Sequence, residues 1–306
     1  MILYEPNHNW FRDIGNLAKS WTMQKILKGV VLIGLIASAI CFSMYFLHIE
    51  PRLNSSIFSL LGIVLSILLV FRTNTAYDRW WEGRKQWGSL VNNTRTLATL
   101  LQVSLPANDK ESRFYFAKSI SNFCIALKEH LRKGVKMEEL IHLDASEVNE
   151  LNLKQHKPSH LANLIYGKIH TIYRAGALTD ADLINVKQHY FSLLDVMGAC
   201  ERIKKTPIPF SYSVYIKIFV SLYGLILPFG LYNDFGFYAI PLTMFIFFAM
   251  LGLELMAEEI EEPFGLDCND LPTGDIALTI KKNVFEILEQ ESVKETKVAE
   301  LYTKVF

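Results

Sequence analysis

The chain has 306 residues, with 31 Lys and Arg against 31 Asp and Glu, and a mean hydropathy of +0.20. Zero net charge removes the electrostatic reason to expect a nucleic-acid partner. The hydropathy is too high for an ordinary soluble domain, while 20% charged residues are too many for a chain lying wholly in lipid. A protein divided between membrane and cytosol fits both numbers.

The first twenty residues include Asn7, His8, Asn9, Arg12, Asp13 and Lys19. That is not the apolar core of a cleavable signal peptide, so none is expected. Uncharged apolar runs then follow at about Gly29 to Leu47, Ile57 to Phe71, Ile218 to Leu231 and Phe235 to Leu253. The second is short for a crossing that needs roughly 20 residues; the third extends upstream to Pro209, with only Lys217 interrupting. Core helices of a soluble protein normally keep a polar face. The first and fourth runs have none and belong in lipid.

Orientation follows the positive residues. Arg12, Lys19, Lys25 and Lys28 precede the first run, and the block between the second and third is dense in Lys and Arg. Only Arg52 lies in the loop from His48 to Asn54, and Tyr232-Asn233-Asp234 carries no cation. Both termini and the central block are therefore expected in the cytosol, with two tight hairpins outside. The expected segments are a cytosolic 1–28, transmembrane helices 1 and 2 over 29–71, a cytosolic helical domain over 72–208, transmembrane helices 3 and 4 over 209–257 and a cytosolic 258–306.

The central block reads as long helices. Phe116, Ile120, Phe123, Cys124 and Leu127 recur at helical spacing, as do Tyr166, Ile169, Ile172 and Tyr173, and Leu183, Val186, Tyr190, Leu193, Leu194 and Met197. Breakers fall at Pro106 to Asp109, Pro158-Ser159 and Ala175-Gly176. No Pro interrupts Ser56 to Ser104, so the second span is expected to continue out of the membrane as one helix roughly 70 Å long. The scattered cysteines Cys41, Cys124, Cys200 and Cys268 have no metal-ligand spacing and are expected as reduced thiols.

Within the second run Ile63, Ile67 and Phe71 share one helical stripe. Ser59, Gly62 and Ser66 form a neighbouring stripe of small residues that permits close helix approach. In a ring of such helices the apolar stripe would stack three collars, and a narrow apolar collar gates ions by dewetting. The same spacing equally suits an ordinary lipid-facing or packing stripe. Next comes Arg72-Thr-Asn-Thr-Ala-Tyr-Asp-Arg-Trp-Trp-Glu-Gly-Arg-Lys-Gln-Trp-Gly88, whose Trp80, Trp81 and Trp87 suit a membrane boundary or a subunit contact. Carboxylates crowd the end of the fourth run, from Glu254 through Glu258, Glu259, Glu261 and Glu262 to Asp267 and Asp270. They offer oxygens to a hard cation, or partners to Arg79, Arg84 or Lys85. His156 and His160 are four apart, but Pro158 between them argues against the regular helix that would align both rings, and no third ligand is expected near. No catalytic constellation is present, so no enzyme is expected.

The stretch Phe71 to Gly88 resembles the signature of the bestrophin family in its bacterial branch. So do Cys200-Glu-Arg-Ile, Thr206-Pro-Ile-Pro-Phe, and Ala257-Glu-Glu through Pro263-Phe-Gly to Asn269-Asp-Leu-Pro. The resemblance implies an all-α pentamer in the bacterial inner membrane, with four spans per subunit around one pore. It places the neck on Ile63, Ile67 and Phe71, and a second, cytosolic aperture on Thr179 to Ile184, where Ala181 and Ile184 share a face. The Ca2+ clasp of animal members falls on Glu259, Glu262, Asp267 and Asp270, but Leu266, Cys268 and Asn269 interrupt the acidic run, so no cofactor is expected to be required. The expected partners are further copies of the chain, membrane lipid and permeant ions. Monovalent cations are favoured by the bacterial resemblance and the acidic cluster. An anion channel of the same fold, and a membrane scaffold or sensor, are the competing readings.

Overall fold

The computed structural model describes residues 21–49, 55–267 and 269–291. Readings that rest on Arg12, Lys19, Arg52, Cys268 or the tail beyond Glu291 concern residues outside this set. Every regular element described is helical, as the all-α reading requires. These are α1 (Trp21–Leu47), α2 (Ser55–Ser104), α3 (Lys110–His130), α4 (Ala145–Leu153), α5 (Lys157–Arg174), α6 (Asp180–Lys205), α7 (Phe210–Phe235), α8 (Ala239–Ile260) and α9 (Thr273–Ile287). Short 3-10 turns stand at Met137–Glu139 and Gly236–Tyr238. The chain divides into two compact units. One takes in the chain through Trp80 together with Pro207–Asp270, and the other takes in Trp81–Thr206 and the chain from Leu271.

The first unit is apolar. Three stretches among the described residues are long and apolar enough to cross a membrane: Trp21–Leu47, Ser56–Ser104 and Phe210–Ile260. The third is two helices, α7 and α8, separated by the 3-10 turn. α1 packs on α8 and α7, which also pack on each other. Ile33, Leu65, Leu69, Val220, Leu227 and Phe247 form the core between these helices, while Val31, Leu35, Phe46, Leu60 and Phe245 are exposed. Helices that are apolar on both faces need lipid on the outer one. Two of their hydroxyls turn back on the helix: Ser38 donates to the Gly34 carbonyl and Ser66 to that of Gly62, both at 2.8 Å. This satisfies them without water.

Where α7 crosses α8, a Cβ on Gly224 would stand 2.6 Å from Cδ2 of Phe247. Pro228, four residues on, lies inside α7 and supplies no N–H to the Gly224 carbonyl, so this turn depends on packing more than its neighbours do. Gly224→Ala is expected to destabilise the protein by about 1–3 kcal/mol through overpacking. The readout is the thermal unfolding midpoint in detergent, and an unshifted midpoint would contradict so close an approach.

The second unit shows how local chemistry sets helix limits. Pro106 follows α2, and Arg113 fans across the carbonyls of Gln102, Leu105 and Pro106. That satisfies acceptors a helix end leaves open. Asp109 caps α3 by accepting from the Ser112 N–H, and Thr179 with Asp182 forms a capping box on α6. Phe116, Ile120, Phe123, Cys124 and Leu127 are all buried in α3, as their spacing predicts. Pro158 does not break the chain between helices. It sits in the first turn of α5, where its missing N–H costs nothing, so the break precedes it. α4 and α9 were not anticipated; α9 packs on α3, with Phe285 edge-on to Phe114 at 6.3 Å. Cys41, Cys124 and Cys200 are free and buried. Burial pushes the Cys200 thiol up to about 12 and raises that of Cys124 as well, which leaves both protonated and unreactive.

Candidate functional site

α2 carries the predicted neck. Ile63, Ile67 and Phe71 are 58%, 50% and 59% exposed, whereas Phe58, Leu65, Leu69 and Arg72 on the other face are buried. The three residues therefore project from one edge of the helix and take no part in the core of their own chain. The same stripe continues through exposed Asn74 and Asp78, so its apolar part gives way directly to polar side chains. The small-residue stripe is split. Gly62 is buried, and a Cβ there would stand 2.6 Å from Oη of Tyr223, whose hydroxyl donates to the Phe58 carbonyl at 3.1 Å. Ser59 and Ser66 are exposed.

The residue after the neck anchors the helix. Arg72 is fully buried; its Nη2 donates to Glu261 Oε2 at 2.7 Å, and its Nε lies 3.6 Å from Glu254 Oε2. One turn pair further on, Arg79 Nε donates to the Glu261 carbonyl at 3.0 Å, and Trp80 Nε1 to the Asn269 carbonyl at 2.9 Å. Arg79 was among the partners read for the glutamates. Arg72 was missed, because a cation flanking an apolar run reads as a surface charge. Trp87, expected at a boundary or a subunit contact, is fully buried in the second unit, while Trp81 is exposed.

The acidic segment lines a cavity of about 460 Å³ that includes Glu258, Glu259, Glu261, Glu262, Asp267 and Asp270. The clasp-equivalent residues Glu259, Glu262, Asp267 and Asp270 are thus brought together, but much of the carboxylate around them is engaged by protein. Thr22 donates to Glu259 Oε2 at 3.0 Å, Lys217 to Glu258 Oε1 at 2.9 Å, and the Ile208 N–H to Glu261 Oε1 at 3.0 Å. Lys25 also faces Glu258, and the Asp267 N–H donates to Asp270 Oδ2 at 2.6 Å. Ca2+ takes six to eight oxygens. Of the clasp-equivalent carboxylates, Glu259 and Asp270 already accept hydrogen bonds from within the chain.

The predicted aperture residues lie on the first turns of α6. Ala181 and Ile184 are both exposed, Ile184 at 68%, while Leu183 and Val186 turn inward. As the intervening Pro158 predicts, His156 and His160 do not pair, but His156 does have further ligand groups close by, contrary to the expectation that none is near. His160 Nε2 faces Glu150 Oε1 at 3.3 Å, whereas His156 Nε2 lies 2.6 Å from Glu201 Oε1 and His130 Nε2 lies 3.2 Å from the same oxygen. Burial, and then the neighbouring His156 ring, hold His130 below the usual imidazole range, against the pull of Glu201.

A unit of helices long and apolar enough to cross a membrane, together with a unit that carries most of the charged helices, marks an integral membrane protein. The sequence model of the bacterial/fungal bestrophin proteins matches residues 1–286. A voltage-dependent anion channel-forming protein of Nostoc is 38% identical over 244 residues, 78% of each chain. One from Ralstonia nicotianae is 30% identical over 98% of this chain and 99% of its own. The crystal structure of a bacterial bestrophin homologue from Klebsiella pneumoniae superposes with a TM-score of 0.82 at 31% identity, covering 87% of this chain and all of that one. The chain belongs to the bestrophin family, whose members are ion channels and not enzymes.

Proposed function

We propose that five copies of this chain, each crossing the bacterial inner membrane four times with both termini in the cytosol, enclose one central pore. Ions pass it passively through a neck of Ile63, Ile67 and Phe71, with Ala181 and Ile184 on the face that lines a second, cytosolic aperture. The observation that carries this reading is the exposure of three large apolar residues on one edge of α2, continued on the same edge by Asn74 and Asp78. Family membership adds what the stripe alone lacks, since the related proteins are channels and a channel needs one helix edge turned to its axis. Ca2+ is not expected to be required, because Leu266, Cys268 and Asn269 interrupt the acidic run. A scaffold or sensor role would leave the edge of α2 without a purpose.

The collars carry no charge, so the sign of the permeant ion has to come from elsewhere. In the acidic cluster, which on sequence favoured cations, Glu254, Glu258 and Glu261 are paired with Arg72, Lys25 and Lys217, and the names of the Nostoc and Ralstonia relatives favour anions. Anion conduction, chloride foremost, is accordingly the first reading. Asp78 on the stripe below the neck is the specific feature that favours the second, monovalent cations. Reconstituted protein under asymmetric NaCl is expected to show a reversal potential close to the chloride equilibrium potential. A reversal near the sodium potential would select the second reading, and electrically silent bilayers would overturn both.

A further inference from the structure

His130, His156 and Glu201 come from the end of α3, the start of α5 and the body of α6, and nothing in ion permeation uses them. Each is half-buried, and their ligating atoms all lie within 4.8 Å of one another. Tetrahedral zinc with bonds of about 2.0–2.1 Å holds its ligands roughly 3.3 Å apart. The two ring nitrogens stand 2.6 and 3.2 Å from Glu201 Oε1, so the set closes around an ion by side-chain adjustment alone. From this we infer that His130 Nε2, His156 Nε2 and a Glu201 carboxylate oxygen form a site for a divalent transition-metal ion of the zinc type, with water in the fourth position.

The surroundings already aim one ligand and pin the backbone of another. Lys205 donates to Glu201 Oε2 at 3.2 Å, which leaves Oε1 directed at the rings, and Lys204 holds the His130 carbonyl at 3.0 Å. Such outer partners fix the aim of metal ligands, although the two ammonium groups also weaken the attraction for a cation. Imidazole and carboxylate together suit zinc, whereas Ca2+ prefers oxygen alone. His156 carries a distinctive consequence. Its Nδ1 accepts the Ser159 N–H at 3.2 Å as the cap of α5, so the neutral ring holds its proton on Nε2. A metal bond at Nε2 requires that proton to move to Nδ1, which ends acceptance from Ser159. Metal binding therefore ties three helices together while releasing one helix cap.

The test uses full-length protein in detergent, stripped by a chelator and titrated with ZnCl2 alone by calorimetry. One equivalent per chain is expected, undiminished by millimolar Ca2+. His156→Asn deletes Nε2 but keeps a good capping side chain, and Glu201→Gln keeps the shape of the carboxylate. Each is expected to weaken zinc binding at least about tenfold, since even outer-shell changes cost 10–100-fold, with metal-free elution volume and unfolding midpoint unchanged. Hydrogen exchange at the Ser159 amide should speed up on saturation with zinc. No uptake, or uptake of equal affinity in both variants, would overturn the assignment, and so would a Ser159 amide indifferent to the metal. Neither result would touch the channel reading, which is tested by current.

Discussion

Replacing Ile67 by Ala is expected to raise single-channel conductance several-fold in planar bilayers while leaving the assembled protein intact. Ile67 is half exposed on its own chain, so its removal leaves no cavity among Leu65, Leu69 and their neighbours. In a ring of copies, however, one collar loses the bulk that narrows it, once per subunit. The barrier at an apolar constriction comes from the reluctance of water to fill it and falls steeply as the constriction widens. The opposite face supplies the control. Leu65→Ala truncates a fully buried side chain and should cost about 2–5 kcal/mol of stability with no direct change to the neck. The two faces thus separate by readout, conductance on one and unfolding midpoint on the other. Unchanged currents in Ile67→Ala, from protein that still assembles, would mean that the stripe faces lipid and would remove the permeation pathway proposed above.

How much of this could be read beforehand depended on the range of the interaction. The apolar helices α1, α7 and α8 were legible because lipid asks for apolar side chains on every face, and a long uncharged run states that directly. The continuation of α2 followed from the absence of Pro between Ser56 and Ser104, and the buried face of α3 from the spacing of Phe116, Ile120, Phe123, Cys124 and Leu127. α9 carried the same kind of signal in Ala277, Ile280 and Val284, all buried, but it is short and follows an acidic stretch that drew the eye to cation binding. Contacts between distant residues were not legible. Arg72 and Glu261 are 189 residues apart, and His156 and Glu201 are 45 apart; no local spacing reports either meeting. The expectation that Pro158 keeps His156 and His160 from acting as a pair holds, since their side chains go to different acids. For Ile63, Ile67 and Phe71 it is the family resemblance that favours pore over lipid, since a helical stripe is the same pattern in either role.

Arg72→Met should be the most damaging single substitution near the neck. Glu254 is as deeply buried as Arg72, and neither of its carboxylate oxygens has a hydrogen-bond partner. Its charge is balanced through space by the guanidinium 3.6 Å away. Removing the cation strands that carboxylate and breaks the 2.7 Å bond to Glu261. A buried pair that loses one member typically costs about 3–5 kcal/mol, enough to consume much of the stability of an ordinary domain. A lowered unfolding midpoint and poor recovery from detergent extraction are expected. The double substitution Arg72→Met with Glu254→Gln should regain part of the loss, because it removes the stranded charge as well. A single variant as stable as the parent, or a double variant no better than the single, would show that the pair is not what holds this corner. The effect should also reach conduction. Adjacent residues on a helix point about 100° apart, so fixing Arg72 against α8 fixes the direction in which Phe71 projects. The partly rescued double variant keeps no ion pair to set that rotation, and its conductance should therefore be less uniform from channel to channel than that of the parent, even where its stability has returned.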